Sequence, residues 1–260
     1  MQTISNNGVM LHVQDQGPKS GRVVMLANSL GTDMRVWDAM IAQMPEDLRI
    51  VRFDKRGHGL SDCPDGPYAI EDLARDALAV IDALGLKDIT FVGLSVGGLI
   101  GQGVLQARPD VIKALVLMDT AAKIGTPEFW NDRIDAMRAS GIPALANGVM
   151  ERWFAQRFRE DDARVAPWRN MLSYTPLEGY LGVCSAIASA DFTAFAATTQ
   201  VPVLAMVGDE DGATPPDLVE NTAKLYGAAF EVIAQAGHLP CVEHPKLTAQ
   251  LILDFMKRTA

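Results

Sequence analysis

The chain has 260 residues, 48% hydrophobic and 21% charged. That is enough apolar material for one compact domain with a sizeable core, and too little charge bias for disorder. A formal net charge of −9, with no Lys/Arg run or basic stripe, excludes nucleic acid as an expected partner. Three widely spaced cysteines, Cys63, Cys184 and Cys241, form no Cys-x-x-Cys pair, so neither a disulfide framework nor a zinc site is expected, and a reducing, cytoplasmic setting fits.

The first seven residues lack a basic start followed by an apolar stretch, so no signal peptide is expected. The Asn6-Asn7-Gly8 turn ahead of an alternating stretch, 9–14, predicts an opening hairpin. Short apolar runs at 22–27, 49–53, 89–94, 114–118, 203–207 and 230–233 are continuous rather than alternating, as in parallel strands buried on both faces. Between them lie helical patterns at 35–44, 70–84, 96–107, 216–226 and 245–257. The second of these carries Leu73, Ala77, Val80, Ile81 and Leu84 on one face. Strands alternating with helices predict an α/β fold, a doubly wound and mostly parallel sheet. The largely apolar stretch 89–105 is shorter than the ~20 residues of a membrane span and contains five glycines, so a buried strand running into a buried helix is expected there and no membrane partner.

The alternation lapses over 121–196, a helical stretch with Trp130, Trp153 and Trp168. It is expected to form a helical cap inserted into a core made of 1–120 and 197–260. The cap holds eight Lys/Arg and nine Asp/Glu, a net of −1, so it is the less acidic part of an acidic protein.

Gly93-Leu94-Ser95-Val96-Gly97 matches G-x-S-x-G and falls between an apolar strand and a helix. A sharp strand-to-helix turn strains the serine backbone, lifts its hydroxyl above the sheet and needs small neighbours. Ser95 is the candidate nucleophile. Its base is sought among four histidines. His12 lies in the opening hairpin, His58 in the turn Asp54-Lys55-Arg56-Gly57-His58-Gly59 ahead of the serine, and His244 just before Pro245. His238, on the loop after the last strand, is the candidate base by chain order. The acid is expected after a strand between the two. Gly208-Asp209-Glu210-Asp211 supplies Asp211, with Asp119, at the end of the preceding strand, as its rival. Backbone N–H groups of Val96 and Leu30 are the candidate oxyanion donors, and Ser29 beside Leu30 a candidate polar contact to substrate.

This layout resembles the α/β-hydrolase superfamily, and more narrowly the bacterial 3-oxoadipate enol-lactonases. The resemblance spans nearly the whole chain. It is carried by Asn28-Ser29-Leu30-Gly31-Thr32-Asp33, the segment from Phe53 to Gly59, Gly93 to Gly98, Asp119 to Pro127, Trp130-Asn131-Asp132-Arg133-Ile134 and Asp211 to Pro216. Two departures stand out: Val96 where methionine is common, and Asp119 where asparagine is common. The resemblance implies hydrolysis of the enol-lactone of 3-oxoadipate in aromatic catabolism, with no metal or organic cofactor. That substrate is a small anionic lactone, so a cation is expected near the site: Arg133 beside Trp130 first, with Arg152 and Arg169 as alternatives. A ring-cleavage-product carbon–carbon hydrolase, a broad carboxylesterase, or a small-molecule receptor with a vestigial triad would carry the same core motifs. The oligomeric state is not legible in the sequence.

Overall fold

The structure, a computed structural model, describes residues 1–259. Eight strands form one sheet in the order β1-β2-β4-β3-β5-β6-β7-β8. The opening hairpin, β1 (Gln2–Asn6) and β2 (Val9–Gln16), pairs antiparallel, and β2 pairs antiparallel with β4 (Arg49–Phe53). From there the sheet is parallel: β4 on β3 (Val23–Ala27), β3 on β5 (Ile89–Leu94), β5 on β6 (Ile112–Met118), β6 on β7 (Val203–Gly208) and β7 on β8 (Ala229–Ile233).

Every residue of β3, β4, β5 and β7 is buried, as expected for strands with helices on both faces. The last strand differs from expectation. It lies at the sheet edge and only Ile233 is fully buried, because an edge strand packs a neighbour along one side alone. Its apolar run resembled that of a central strand, and position in the sheet decides between the two.

Helices α2 (Ile70–Leu84), α3 (Val96–Ala107), α10 (Pro216–Tyr226) and α12 (Pro245–Arg258) cover the sheet. The predicted helix over 35–44 divides instead into a 3-10 turn (Met34–Trp37) and a short α1 (Asp38–Ile41). The Asp33 carboxylate accepts the Arg35 N–H and pairs with its guanidinium, and Val36 N–H bonds back to the Asp33 carbonyl, which tightens the first turn.

Between β6 and β7 the regular elements are all helices: α4 (Pro127–Ser140), α5 (Ile142–Trp153), α6 (Gln156–Arg159), α7 (Asp162–Ser173), α8 (Leu177–Ser189) and α9 (Thr193–Ala196). Thr126 caps α4 through the Phe129 N–H and Pro127 opens it. Helix α4 packs on α8, and α5 on α7. This segment leaves β6 at the carboxyl end of the sheet, where crevices form, and returns to the amino end of β7.

Candidate active site

The G-x-S-x-G stretch forms the expected turn. Ser95 follows β5 directly, precedes α3 and has φ 58° and ψ −121°, a strained conformation for a residue with a side chain. Close backbone contact forces the flanking glycines. A Cβ on Gly97 would lie 1.9 Å from the Ala27 carbonyl oxygen, and one on Gly93 would lie 2.3 Å from that of Gly97. The turn is held by the Ser95 N–H donating to Met118 O at 2.9 Å and by the Thr120 hydroxyl donating to Ser95 O at 2.6 Å.

His238 lies on the loop after β8, and its Nδ1 is 2.9 Å from Asp211 Oδ2. Asp211 is itself held rigidly. Its Oδ1 accepts the N–H groups of Ala213 (2.7 Å) and Thr214 (3.0 Å), and its Oδ2 accepts the Thr214 hydroxyl at 2.6 Å. Burial opposes ionisation of Asp211, but the His238 charge and the bonds from His238 and Thr214 hold its pKa below the ordinary value. The proton on Nδ1 then faces the carboxylate and leaves the Nε2 lone pair toward the cavity. Ser29 Oγ stands 3.4 Å from that Nε2. The Ser95 hydroxyl makes no side-chain hydrogen bond among the described residues, and it shares a cavity of about 280 Å³ with Ser29, Leu30 and His238.

The rival acid, Asp119, is fully buried with a left-handed backbone (φ 46°). Its Oδ1 accepts the Gly208 N–H at 2.9 Å, and its Oδ2 has no hydrogen-bond partner among the described residues. Ligand-type atoms of Asp119, Asp211 and His238 lie within 4.8 Å of one another. Burial, and after it the Asp211 charge, raises the Asp119 pKa well above the ordinary carboxylate value. Ionisation is therefore opposed at Asp119 and favoured at Asp211, and the histidine hydrogen bond goes to Asp211.

The loop after β3 is braced from below. The Gly31 N–H donates to His58 Nε2 at 2.9 Å, which places the ring proton on Nδ1, 3.3 Å from Arg56 O. Burial, followed by the Lys55 charge, pushes the His58 pKa well below its ordinary value, so the ring is neutral. Lys55 Nζ donates to Ser29 O (2.6 Å) and Thr32 O (3.0 Å), and burial lowers its pKa to about 7. The N–H groups of Leu30 and Val96, the latter at the start of α3, donate to no protein acceptor among the described residues. A helix N-terminus and two unpaired amides suit a developing negative charge.

The helical segment supplies the rest of the cavity wall, including Trp130, Arg133, Arg152, Trp153 and Tyr180. Trp130 donates from Nε1 to Ile124 O at 2.6 Å, and its ring packs T-shaped against that of Phe129. Arg133 donates from Nη2 (2.5 Å) and Nε (3.1 Å) to the Tyr180 hydroxyl. Arg152 donates from Nε to Gly212 O at 3.1 Å, and burial, then the Arg133 charge, lowers its pKa. Neither arginine pairs with a carboxylate among the described residues. Arg169 is different: it pairs with Asp162 at 2.7 Å and does not line the cavity, so it is no candidate for binding there. Tyr180, Trp153 and Thr214 were not expected as site residues from the sequence. Each is an ordinary core or loop residue until the chain folds.

A larger cleft, of about 1000 Å³, lies between the opening hairpin and α7. Its lining includes the pairs His12–Asp54, Arg35–Asp33 and Arg52–Asp38, its Asp15 pairs with Arg49, and it contains neither Ser95 nor His238.

A doubly wound sheet whose strained serine shares a cavity with a histidine–aspartate pair defines a class of protein, and residues 23–251 match it: the chain belongs to the alpha/beta hydrolase family. Among its relatives, the 3-oxoadipate enol-lactonase 1 of Acinetobacter baylyi is 33% identical, the match spanning 97% of this chain and 95% of that protein. The crystal structure of the enol-lactonase from Burkholderia xenovorans LB400 superposes with a TM-score of 0.93 at 35% identity, covering 98% of this chain and 100% of that one. A thermophilic esterase from Thermogutta terrifontis, solved with malate bound, gives 0.92 at 28% identity, covering 99% and 98%. No helix among the described residues is long and apolar enough to cross a membrane.

Proposed function

We propose that this chain hydrolyses the enol-lactone of 3-oxoadipate, with Ser95 as nucleophile, His238 as general base and acid, and Asp211 as the carboxylate that orients it. Full-length similarity to enol-lactonases supports this reading. The observation that carries the choice of substrate is the cavity itself. It is small, and two arginines without carboxylate partners share it with Ser95 and His238. A neutral ester would leave both cations idle, whereas a small anionic lactone gives them a partner.

The chemistry runs as follows. The Ser95 hydroxyl swings to His238 Nε2 as substrate binds, a tightening common to sites of this kind. His238 takes the proton while Ser95 Oγ bonds to the lactone carbonyl carbon, and the amides of Leu30 and Val96 hold the oxyanion. The ring C–O bond breaks, the enolate leaves, and His238 returns the proton to it. The enol then becomes the ketone. Water, deprotonated by His238, attacks the acyl–Ser95 ester; the acyl C–Oγ bond breaks, His238 returns the proton to Ser95 Oγ, and the acid is released. Arg133, beside Trp130, would hold the distal carboxylate, and Ser29 would contact the reacting end. We place the activity in the cytoplasm as a step of aromatic-compound catabolism; the three cysteines, all unbridged, fit a reducing compartment.

Steady-state turnover of the enol-lactone, set against a neutral aryl ester, tests the proposal. The expected result is a kcat/KM at least about a hundredfold higher on the lactone. Comparable values on both would make the protein a broad carboxylesterase, the second reading, which the similarity to the Thermogutta esterase favours.

A further inference from the structure

The short stretch 152–156, at the end of α5, touches both loops that carry the proposed acid and base. Beside Asp211, Gly212 and Arg152 bond in both directions, Gly212 N–H to Arg152 O (3.3 Å) and Arg152 Nε to Gly212 O (3.1 Å). Gln156 N–H donates to Glu210 Oε2 at 2.8 Å. Beside His238, contact is backbone on backbone. A Cβ on Gly237 would lie 2.6 Å from Trp153 O and 2.9 Å from Ala155 N.

One carboxylate closes this junction. Glu243 ends the short helix α11 (Pro240–Glu243). Its Oε1 accepts the N–H of Gly237 at 2.7 Å, and its Oε2 accepts the N–H of Ala155 at 3.0 Å. Gly237 is the residue before His238, and Ala155 lies two residues beyond Trp153, whose side chain lines the cavity. Two amides from separate parts of the chain therefore share one acceptor group. Charge-assisted bonds of this kind hold geometry better than neutral ones. Burial raises the Glu243 pKa, to about 7, while the two N–H bonds oppose that rise.

We propose that Glu243 is a positioning residue that pins the His238 loop to the cavity wall, so that the imidazole and the residues contacting substrate keep a fixed separation. It touches no reacting atom. The inference rests on His238 acting as the base, as proposed above. A small displacement of a base is costly in rate because the transition state tolerates little misplacement.

Glu243→Gln isolates the effect. The glutamine keeps one acceptor oxygen and turns an NH2 group toward the other amide, so one of the two links is lost. For the folded variant, kcat on the enol-lactone is expected to fall about tenfold or more, with the rate of Ser95 labelling by an organophosphonate falling in parallel. The melting temperature reports any loss of packing separately, and a merely structural role would lower it without slowing the folded fraction. Should the glutamine variant not fold, Glu243→Asp, which keeps the charge but cannot span both amides, takes its place with the same expectation. A folded variant with kcat, KM and labelling rate within about twofold of the parent overturns the proposal. A parent protein that the phosphonate does not label overturns the serine-hydrolase reading itself, so the two failures are distinct.

Discussion

The carboxyl edge of the sheet and the helical segment between β6 and β7 build one cavity by different means. At the sheet edge, position is set by the main chain: the strained Ser95 turn, the free amides of Leu30 and Val96, and Asp211 gripped by three donors from Ala213 and Thr214. The helical segment contributes side chains that reach inward, and the two arginines that line the cavity are anchored on a tyrosine hydroxyl and a carbonyl rather than on a carboxylate. Chemistry that depends on fractions of an ångström belongs on the rigid part. Recognition of a ligand tolerates the other part and changes with its side chains.

This contrast can be broken most sharply at two histidines. On the proposed reading, His238→Ala lowers kcat on the enol-lactone by several orders of magnitude, on the order of 10³ or more. His58→Ala, which removes only an acceptor beneath the Gly31 amide, costs roughly tenfold or less in the folded protein. Equal losses, measured by steady-state kinetics at matched folded fraction, would mean that the brace beneath the loop matters as much as the base.

A smaller effect is expected at the other wall. Arg133→Ala raises KM for the anionic lactone by roughly ten- to a hundredfold and leaves a neutral aryl ester within about threefold of the parent. A parallel loss on both substrates would show that Arg133 supports the Tyr180 packing rather than the ligand.

The smallest effect concerns stability at Asp119. Its pKa is raised in the folded state, so the neutral carboxyl favours the fold at low pH. That contribution is lost as pH climbs from the ordinary carboxylate range toward the raised value. Asp119→Asn removes the dependence and keeps an oxygen for the Gly208 N–H. The variant is expected to melt above the parent at pH 8, by roughly 2–4 °C for each kcal/mol relieved, and to converge with it near pH 4. A gap that widens toward acid would reverse the assignment of which aspartic acid holds the proton.

Much of the core was legible beforehand because its signals are local. The strand–Ser95–helix sequence needs glycines at particular places, and the continuous apolar runs of β4 and β5 and the helices α2 and α3 fall where periodicity puts them. Histidine elimination was open to the sequence because only four exist and chain order favours a histidine after the last strand. The exposed edge of β8 and the divided helix after Asp33 were not legible. An apolar run does not reveal how many neighbours its strand will have, and one capping carboxylate outweighs a helical pattern.

What the residue order determined alone was the fold and the candidate groups it presents, since turn strain, burial periodicity and chain order all act over short spans. Tertiary structure decided the rest: that Asp211 and not Asp119 meets His238, that Arg133 and Arg152 lack carboxylate partners while Arg169 has one, and that Ala155 and Gly237 converge on one glutamate. Those outcomes depend on distances between residues far apart along the chain, and only packing sets such distances.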